Sequence, residues 1–415
     1  MAEQVSSLKT GIRYKDTPIG KIPVDWEVIS LRDVSEINMG QSPPSEDCNE
    51  KEEGLPFYQG NAEFGSKYPS PKKWCEKPKK IADEGDILIS VRAPVGEINI
   101  APHKCCIGRG LAAITAKSIH SQFLYHLLFL RRKYLQKISQ GSTFEAINSK
   151  ELSDLLIFLP AVTEQKKIAE ILTTLDEAIE KTVQIIEKTK EVKKGLMQKL
   201  LTRGIGHKKF KKTEIGEIPE EWEVTSIHQI CKIKRGASPR PIGDPSFFSE
   251  TGRGWIRISD VTSTYKYLKK TSQYLSEKGV SRSVKVNQGN LIMSICATIG
   301  KPVLLDMEAC IHDGFVLFSE LSEHINSEFL FYFIQKIENK FACKGQIGTQ
   351  GNLNTDIVKR TILPIPSPLE QKRIVQILSS IDHQIEKESI HKEQLETLKK
   401  GLMQVLLTGK IRVKI

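Results

Sequence analysis

Almost everything recognisable in this chain occurs twice, at a spacing close to two hundred residues. IGKIPVDWEV at 19–28 returns as IGEIPEEWEV at 215–224, an offset of 196. EGDILISVRAPVG at 84–96 returns as QGNLIMSICATIG at 288–300, offset 204, and KKGLMQKLLT at 193–202 as KKGLMQVLLT at 399–408, offset 206. Such a repeat is far longer than the roughly 20 to 50 residues of solenoid or propeller units, so the repeating object is a domain plus a connector. The drift falls mainly between the tryptophan block and the Gly-Asp/Gly-Asn block, where the copies lose their likeness, so a shared frame carries unlike inserts. The closing LLTGKIRVKI at 406–415 matches LLTRGIGHKKF at 200–210, and LKTGIRYKDTPIG at 8–20 has the same character, which makes the repeat cyclic.

No apolar run approaches the length of a membrane span, and the opening MAEQVSSLKTG has no apolar signal core, so a cytoplasmic protein with no membrane role is expected. The eight cysteines form no CxxC, and only Cys106 and Cys310 correspond between copies, which argues against a duplicated disulfide or zinc framework. His103, Cys105 and Cys106 are the densest soft-ligand group; a strand with ordinary buried thiols describes them better than a metal site. The net charge of +11 suits a nucleic-acid partner, but its location matters more than its size. Residues 16–160 hold 18 basic and 19 acidic side chains and 213–366 hold 18 and 17, whereas the short stretch 161–212 holds 13 and 7. DNA contact by the globular parts must therefore rest on local clusters. The first copy has two, KKWCEKPKK with Lys72, Lys73, Lys79 and Lys80, and RRKYLQK with Arg131 and Arg132, which a solvated surface would explain equally well.

Between Pro160 and Pro219, and from Leu369 to the end, there is no proline, so nothing interrupts helix in either connector. Ser367-Pro368-Leu369-Glu370 has the form of a capping box with proline at the first helical position; the first copy has Ala161 in place of the serine, and its helix is expected from about Thr163. Ile168, Ile171, Leu175, Ala178, Thr182, Ile185, Thr189, Val192 and Leu196 form a heptad seam, repeated less fully by Ile374, Ile377, Ile381, Leu395, Leu398 and Leu402. A second stripe of Leu172, Ile179, Val183 and Ile186 lies beside the first and requires either the helix's own domain or another protein. The expected architecture is α+β. Two tandem mixed α/β domains at 16–160 and 213–366 are joined by two long antiparallel coiled-coil helices, the spacers at 161–212 and 367–415, in a pseudo-two-fold cyclic repeat.

Within each domain, 86–91 and 291–295 are strand-like and lead to turns at Gly96 and Gly300, while 122–138 and 328–341 are patterned as helices. Polar loops follow. QGSTFEAIN offers Gln140, Ser142, Thr143 and Asn148, and GQIGTQGNLN offers Gln346, Thr349, Gln350, Asn352 and Asn354. Asn and Gln can pair bidentately with adenine, and the same residues also build ordinary surface loops. Catalytic signatures are missing: no Asn-Pro-Pro-aromatic or Asp-Pro-Pro-aromatic motif for amino-methyl transfer, no GxxxxGK[ST], no HExxH and no GxSxG. Glu191-Val192-Lys193 has the ExK form of a nuclease site, but it lies within the connector helix without a preceding Pro-Asp and reads as an exposed charge pair. Two non-enzymatic classes remain, a DNA-binding protein and a coiled-coil scaffold carrying two ligand-binding domains with no nucleic-acid role.

The order IGxIPxxWE, a variable stretch, GDILIS with RxPVG, a Gly-Ser/Thr loop ending in Asn, LPxxxEQKKI, and a long helix ending in KKGLMQKLLT resembles the specificity subunit of type I restriction-modification enzymes. The resemblance covers nearly the whole chain. It implies two target-recognition domains, each reading half of a bipartite site in double-stranded DNA, and spacers that dock two methyltransferase subunits. It further implies assembly with restriction/translocase subunits, and S-adenosylmethionine, ATP and Mg²⁺ held by those partners, leaving no catalytic, cofactor or metal site here. Arg92 becomes a candidate DNA contact, with Arg240 and Arg257 in the second copy. There Asn290 and Cys296 replace Asp86 and Arg92, so the mode of contact must differ.

Overall fold

A computed structural model describes residues 13–140, 146–346 and 353–414. The chain divides into two compact units, 1–184 with 389–415, and 185–388. Four long helices dominate: α1 (Ser121–Ser139), α2 (Val162–Arg203), α3 (Ser327–Gln346) and α4 (Pro368–Leu406). The division falls inside α2 and α4, so each unit owns the opening half of one and the closing half of the other. The hydrophobic cores explain this. In the first unit Met403, Leu406 and Leu407 are buried with Ile168, Ala169 and Leu172; in the second, Met197, Leu200 and Leu201 are buried with Ile374, Val375 and Leu378. Within each unit the two helical segments run antiparallel.

The first unit's two larger sheets are a four-stranded one, in the order Ile98–Ile100, Ile87–Ser90, Leu111–Ala116, Ser35–Met39, and a five-stranded one, in the order Cys48–Asn49, Lys73–Cys75, Leu55–Tyr58, Cys105–Ile107, Ile81–Ala82. The second unit repeats the plan. One five-stranded sheet runs Lys232–Arg235, Phe315–Ser319, Leu291–Ser294, Pro302–Leu305, Tyr267–Leu268, and the other Phe248–Ser249, Gln273–Leu275, Arg253–Ile256, Ala309–Ile311, Val284–Val286. Cys105 and Cys106 pack on opposite faces of their strand, as alternation requires. Among the described residues no three His, Cys, Asp or Glu side chains are grouped as metal ligands, and no helix is long and apolar enough to cross a membrane.

The repeated IPxxW and EQKK/EQKR motifs meet at one buried junction in each unit. Trp26 is fully buried and its indole N–H donates to Glu164 Oε2 at 3.0 Å; Trp222 does the same to Glu370 Oε2 at 2.9 Å. Each glutamate stands in the first turn of a connector helix, where the helix dipole favours a carboxylate. The neighbouring glutamines, Gln165 and Gln371, are also buried. Gln165 accepts from His120 N at the start of α1 and donates to Pro160 O, and Gln371 accepts from Asn326 N and donates to Pro366 O. The motif therefore welds the connector's first turn to the domain helix beside it. Further hydrogen-bond partners arrive from the end of the opposite connector. Arg412 bonds Glu164 and Asp25 in the first unit, and His207 bonds Glu370 in the second, which is the cyclic character of the repeat in physical form.

Two expectations for the helices change. Ser367 Oγ does accept from Glu370 N, at 3.3 Å, but the reciprocal half of the capping box is not made, because the Glu370 carboxylate is taken by Trp222, His207 and Ile205 N. The seam is kept in part, with Ile168, Thr182 and Ile374 buried, but elsewhere the buried position lies one residue further round the helix. Ile185 and Val192 are exposed by 43% and 56%, as are Ile377 and Leu398 by 37% and 51%. Leu172, Ile186 and Lys193 are buried instead in α2, and Leu378 and Ile385 in α4. Leu172 and Ile186 of the stripe read as secondary thus share the buried face, whereas Val183 of the same stripe is exposed, because the helices must cover their own domains as well as each other.

Lys193 is consequently not the exposed partner of Glu191. It is 5% exposed and pairs with Asp382 at 2.8 Å. The first unit places Lys399 on Asp176 in the same way. Around these pairs Tyr332 and Ser379 in one unit stand where His126 and Thr173 stand in the other.

Replacing Trp26 with Phe preserves the packed ring but leaves the buried Glu164 without its indole donor, at an expected cost of about 1–3 kcal/mol. Amide hydrogen exchange should show lost protection in the first unit only, and Trp222→Phe the converse; equal losses in both units for either variant would contradict the assignment.

Candidate nucleic-acid interface

In each unit four backbone segments converge where the two sheets exchange strands. In the first, Gly40 N donates to Leu111 O and Gln41 N to Ile107 O, while Gly108 N donates to Tyr58 O and Gly110 N to Gln59 O. Ile147 N donates to Val91 O, which brings the end of the 140–148 loop alongside Arg92, bridged to Ala146. The second unit reproduces the frame. Gly236 N donates to Phe315 O, Ala237 N to Ile311 O, and Leu353 N to Ile295 O. The approach is so close that a Cβ at Gly40 would collide with the Gly108 carbonyl, and one at Gly236 with that of His312; only glycine fits either place.

Side chains on this common frame differ completely. In the first unit Ser42 Oγ donates to Gln59 Oε1 at 3.0 Å and accepts from Arg109 N at 3.2 Å. Arg92 and Arg109 are exposed and have no ion pair with any described residue. In the second unit Arg257 occupies the position of Gln59, Cys296 that of Arg92, and Asp313 that of Arg109. The Asp313 carboxylate accepts from Ser238 Oγ and from Arg240 Nη2, the latter at 3.5 Å, and the Ser238 hydroxyl chiefly holds its pKa below the usual range. Arg257 lines two adjoining concavities of about 340 and 530 Å³, both shared with Ile242. His312 closes the smaller one. Its Nδ1 accepts from Gly314 N at 2.9 Å, and burial, with Arg257 adding to it, pushes its pKa down to about 4.

The lysine cluster reaches the same end of the first unit's five-stranded sheet. Lys73 lies opposite Phe57, one residue short of Tyr58 and Gln59, and Lys80 O accepts from Ile107 N just before Arg109. Lys72, Lys73, Lys79 and Lys80 are all exposed. Two strands separate the pairs, about 14 Å at the usual strand spacing. Arg131 and Arg132 are engaged otherwise. Arg132 is paired with Glu97, and Arg131 is half-buried with its guanidinium 4.7 Å from the centre of the Tyr134 ring.

The polar loops are only partly described. Gln140 is exposed at the end of α1; Asn148 and Asn354 each cap the short helix that follows, accepting from Glu151 N and Asp356 N. Ser142, Thr143, Thr349, Gln350 and Asn352 lie outside the described residues, as does the side chain of Gln346. Gln59 lies in the variable stretch 43–60 that the sequence marks for base specificity, whereas sequence reasoning missed Ser42, Arg109, Asp313 and His312. The signal available for them was the repeated Gly-x-Ser at 40–42 and 236–238, which carries no charge and no catalytic chemistry.

Two tandem mixed α/β domains thus stand on long paired helices, each with a polar loop junction. The description "Type I restriction modification DNA specificity domain" matches residues 23–191 and again 219–397, and the chain belongs to that family. It is 30% identical over 409 residues to the type I restriction enzyme MjaVIII specificity subunit of Methanocaldococcus jannaschii, covering 95% of both chains. It is 31% identical over 246 residues to the MjaIX specificity subunit of the same organism, covering 54% of this chain and 56% of that one. The fold is that of the crystal structure of a type I restriction-modification system S subunit from M. genitalium, with a TM-score of 0.61 at 14% identity over 96% of this chain and 97% of that one. The chain is a specificity subunit, the non-catalytic, DNA-recognising component of a type I system, whose family carries no cofactor of its own.

The neutral His312 makes the second unit sensitive to acid. From its ordinary value of 6.5 down to about 4, the unfolded chain takes up a proton there that the folded chain refuses. Stability is therefore lost as pH falls through 6.5, by about 1.4 kcal/mol per unit within that window. Calorimetry at about pH 7 and pH 5.5 should show a smaller shift for His312→Gln than for the unsubstituted protein; equal shifts would contradict a neutral His312.

Proposed function

We propose that the two loop junctions each read one half of a bipartite site in double-stranded DNA, and that α2 and α4 act as spacers that set the distance between half-sites. The observation that carries this reading is the identical backbone frame with unlike polar groups: Gln59, Arg92 and Arg109 in one unit, Arg257, Cys296 and Asp313 in the other. Base readout has to differ between half-sites, whereas the scaffold that positions it does not. Arginine is suited to guanine and Gln to adenine in the major groove. The exposed lysines flanking Gln59 and Arg109 are suited to phosphates. The outer surfaces of the spacers would receive two methyltransferase subunits, with restriction/translocase subunits completing the assembly; S-adenosylmethionine, ATP and Mg²⁺ would belong to those partners. The family match favours this reading over a scaffold without nucleic acid.

Exchange of residues 16–160 for the corresponding domain of a relative should change one half-site of the methylated sequence and leave the other as it was. Methylation mapping with the reconstituted methyltransferase checks this; change in both half-sites would refute separate reading.

Salt dependence separates phosphate contacts from internal ion pairs. Neutralising Lys72, Lys73, Lys79 or Lys80 should lower the slope of log affinity against log salt by about 0.9 each. Arg132→Gln, whose charge is met by Glu97, should leave the slope unchanged. The opposite ranking in titrations of duplex DNA would move the interface elsewhere.

A further inference from the structure

The first unit contains a cavity of about 600 Å³ between α1, the opening half of α2 and the closing half of α4. Apolar side chains, among them Tyr125, Phe129, Leu130 and Met403, form most of its wall, and the Asp176–Lys399 ion pair also lines it, as does Ser66. None of the loop-junction residues lines this place.

The second unit shows what meets the equivalent ion pair. Ile100 N donates to Lys67 O at 2.9 Å, and Leu304 N donates to Lys266 O at 2.9 Å. Lys67-Tyr68 and Lys266-Tyr267 are thus equivalent, each lysine lying over its tyrosine ring at 5.3 and 5.1 Å. One residue earlier the copies part. The second unit has Tyr265, whose hydroxyl donates to Asp382 Oδ1 at 2.8 Å and accepts from Lys193 Nζ at 3.1 Å, with that ammonium 4.8 Å from the centre of the ring. The first unit has Ser66, which offers no ring. Asp176 and Lys399 are the counterparts of Asp382 and Lys193, so the carboxylate and ammonium that hold a phenol in one unit line an open cavity in the other.

We propose that the cavity of the first unit is a binding site for a small phenol, whose hydroxyl donates to Asp176 and accepts from Lys399 as Tyr265 does with Asp382 and Lys193. Its volume lies within the range of small-molecule sites, and the apolar wall with a few convergent polar groups is their usual composition. The volume exceeds that of a tyrosine side chain, which leaves room for a substituent opposite the hydroxyl. The inference does not depend on the DNA reading, since it rests only on the likeness of the two units.

The probe is p-cresol, which reproduces the tyrosine side chain, titrated into the full chain by calorimetry or saturation-transfer NMR. One saturable site is expected, with toluene binding at least tenfold more weakly because it lacks the hydroxyl. Ser66→Tyr supplies the missing ring and should abolish p-cresol binding while raising the melting temperature. Tyr265→Ser opens the second unit and should raise the stoichiometry from one to two. No saturable binding, equal affinity for toluene, or undiminished binding by Ser66→Tyr would each overturn the proposal. Because Ser66→Tyr fills space rather than creating it, the test stays decisive even if Tyr265→Ser does not fold.

Discussion

The structure depends first on a buried hydrogen bond between an indole and a carboxylate, made once in each unit. Glu164 is fully buried, and a carboxylate removed from water is tolerable only when its acceptor sites are filled. Trp26 and Arg412 fill them in the first unit; Trp222, His207 and Ile205 N do so in the second. Because each glutamate sits in the first turn of a connector helix, this requirement fixes where the helix begins and which way it leaves the domain. Because Arg412 and His207 come from the end of the other connector, it also makes each domain need both helices.

The same economy governs the middle of the connectors. An ion pair buried against a domain is sensitive to its surroundings, and the two units surround theirs differently. In the second, Lys193 and Asp382 are joined by Tyr265, Tyr332 and Gln335, while Lys266 bonds Glu328 and Ser379 close by, so that every polar group is satisfied. Burial pushes the pKa of Lys193 down, and Asp382 opposes that shift. In the first, the network is thinner. His126 replaces Tyr332, and burial together with Lys399 and Lys67 keeps it neutral, with a pKa pushed down to about 3. Equivalent positions thus carry a closed network in one copy and an open cavity in the other, the sort of divergence a duplication permits when the frame is held elsewhere.

Recognition is divided along similar lines. The crossing of Gly40 beneath Gly108, and of Gly236 beneath His312, is backbone geometry that no side chain can alter. The polar residues projecting from it differ between the two units. Arg109 and Asp313 stand at one address with opposite charge.

Repetition, helix-forming connectors and the absence of catalytic motifs were all legible in the linear sequence, because they are properties of spacing and residue type. The duplicated motifs were visible too, but not what they do: Glu164 and Trp26 are 138 positions apart, and only the fold shows that one accepts from the other. The seam was placed correctly at Ile168, Thr182 and Ile374 but one residue off at Ile185, Val192 and Ile377, because periodicity alone cannot say which stripe faces a domain. Lys193 was read as solvated because its partner, Asp382, is remote in the chain. The Lys-Tyr pairs at 67–68 and 266–267 lie in stretches that otherwise share nothing, so only the hydrogen bonds of their strands reveal them as equivalent. The sequence by itself determined that there are two like domains on two long helices, since local pattern and composition suffice for that. Tertiary structure alone decided which polar residues share a junction, and which of two identical positions is filled and which is open, because those depend on contacts between residues that the chain keeps far apart.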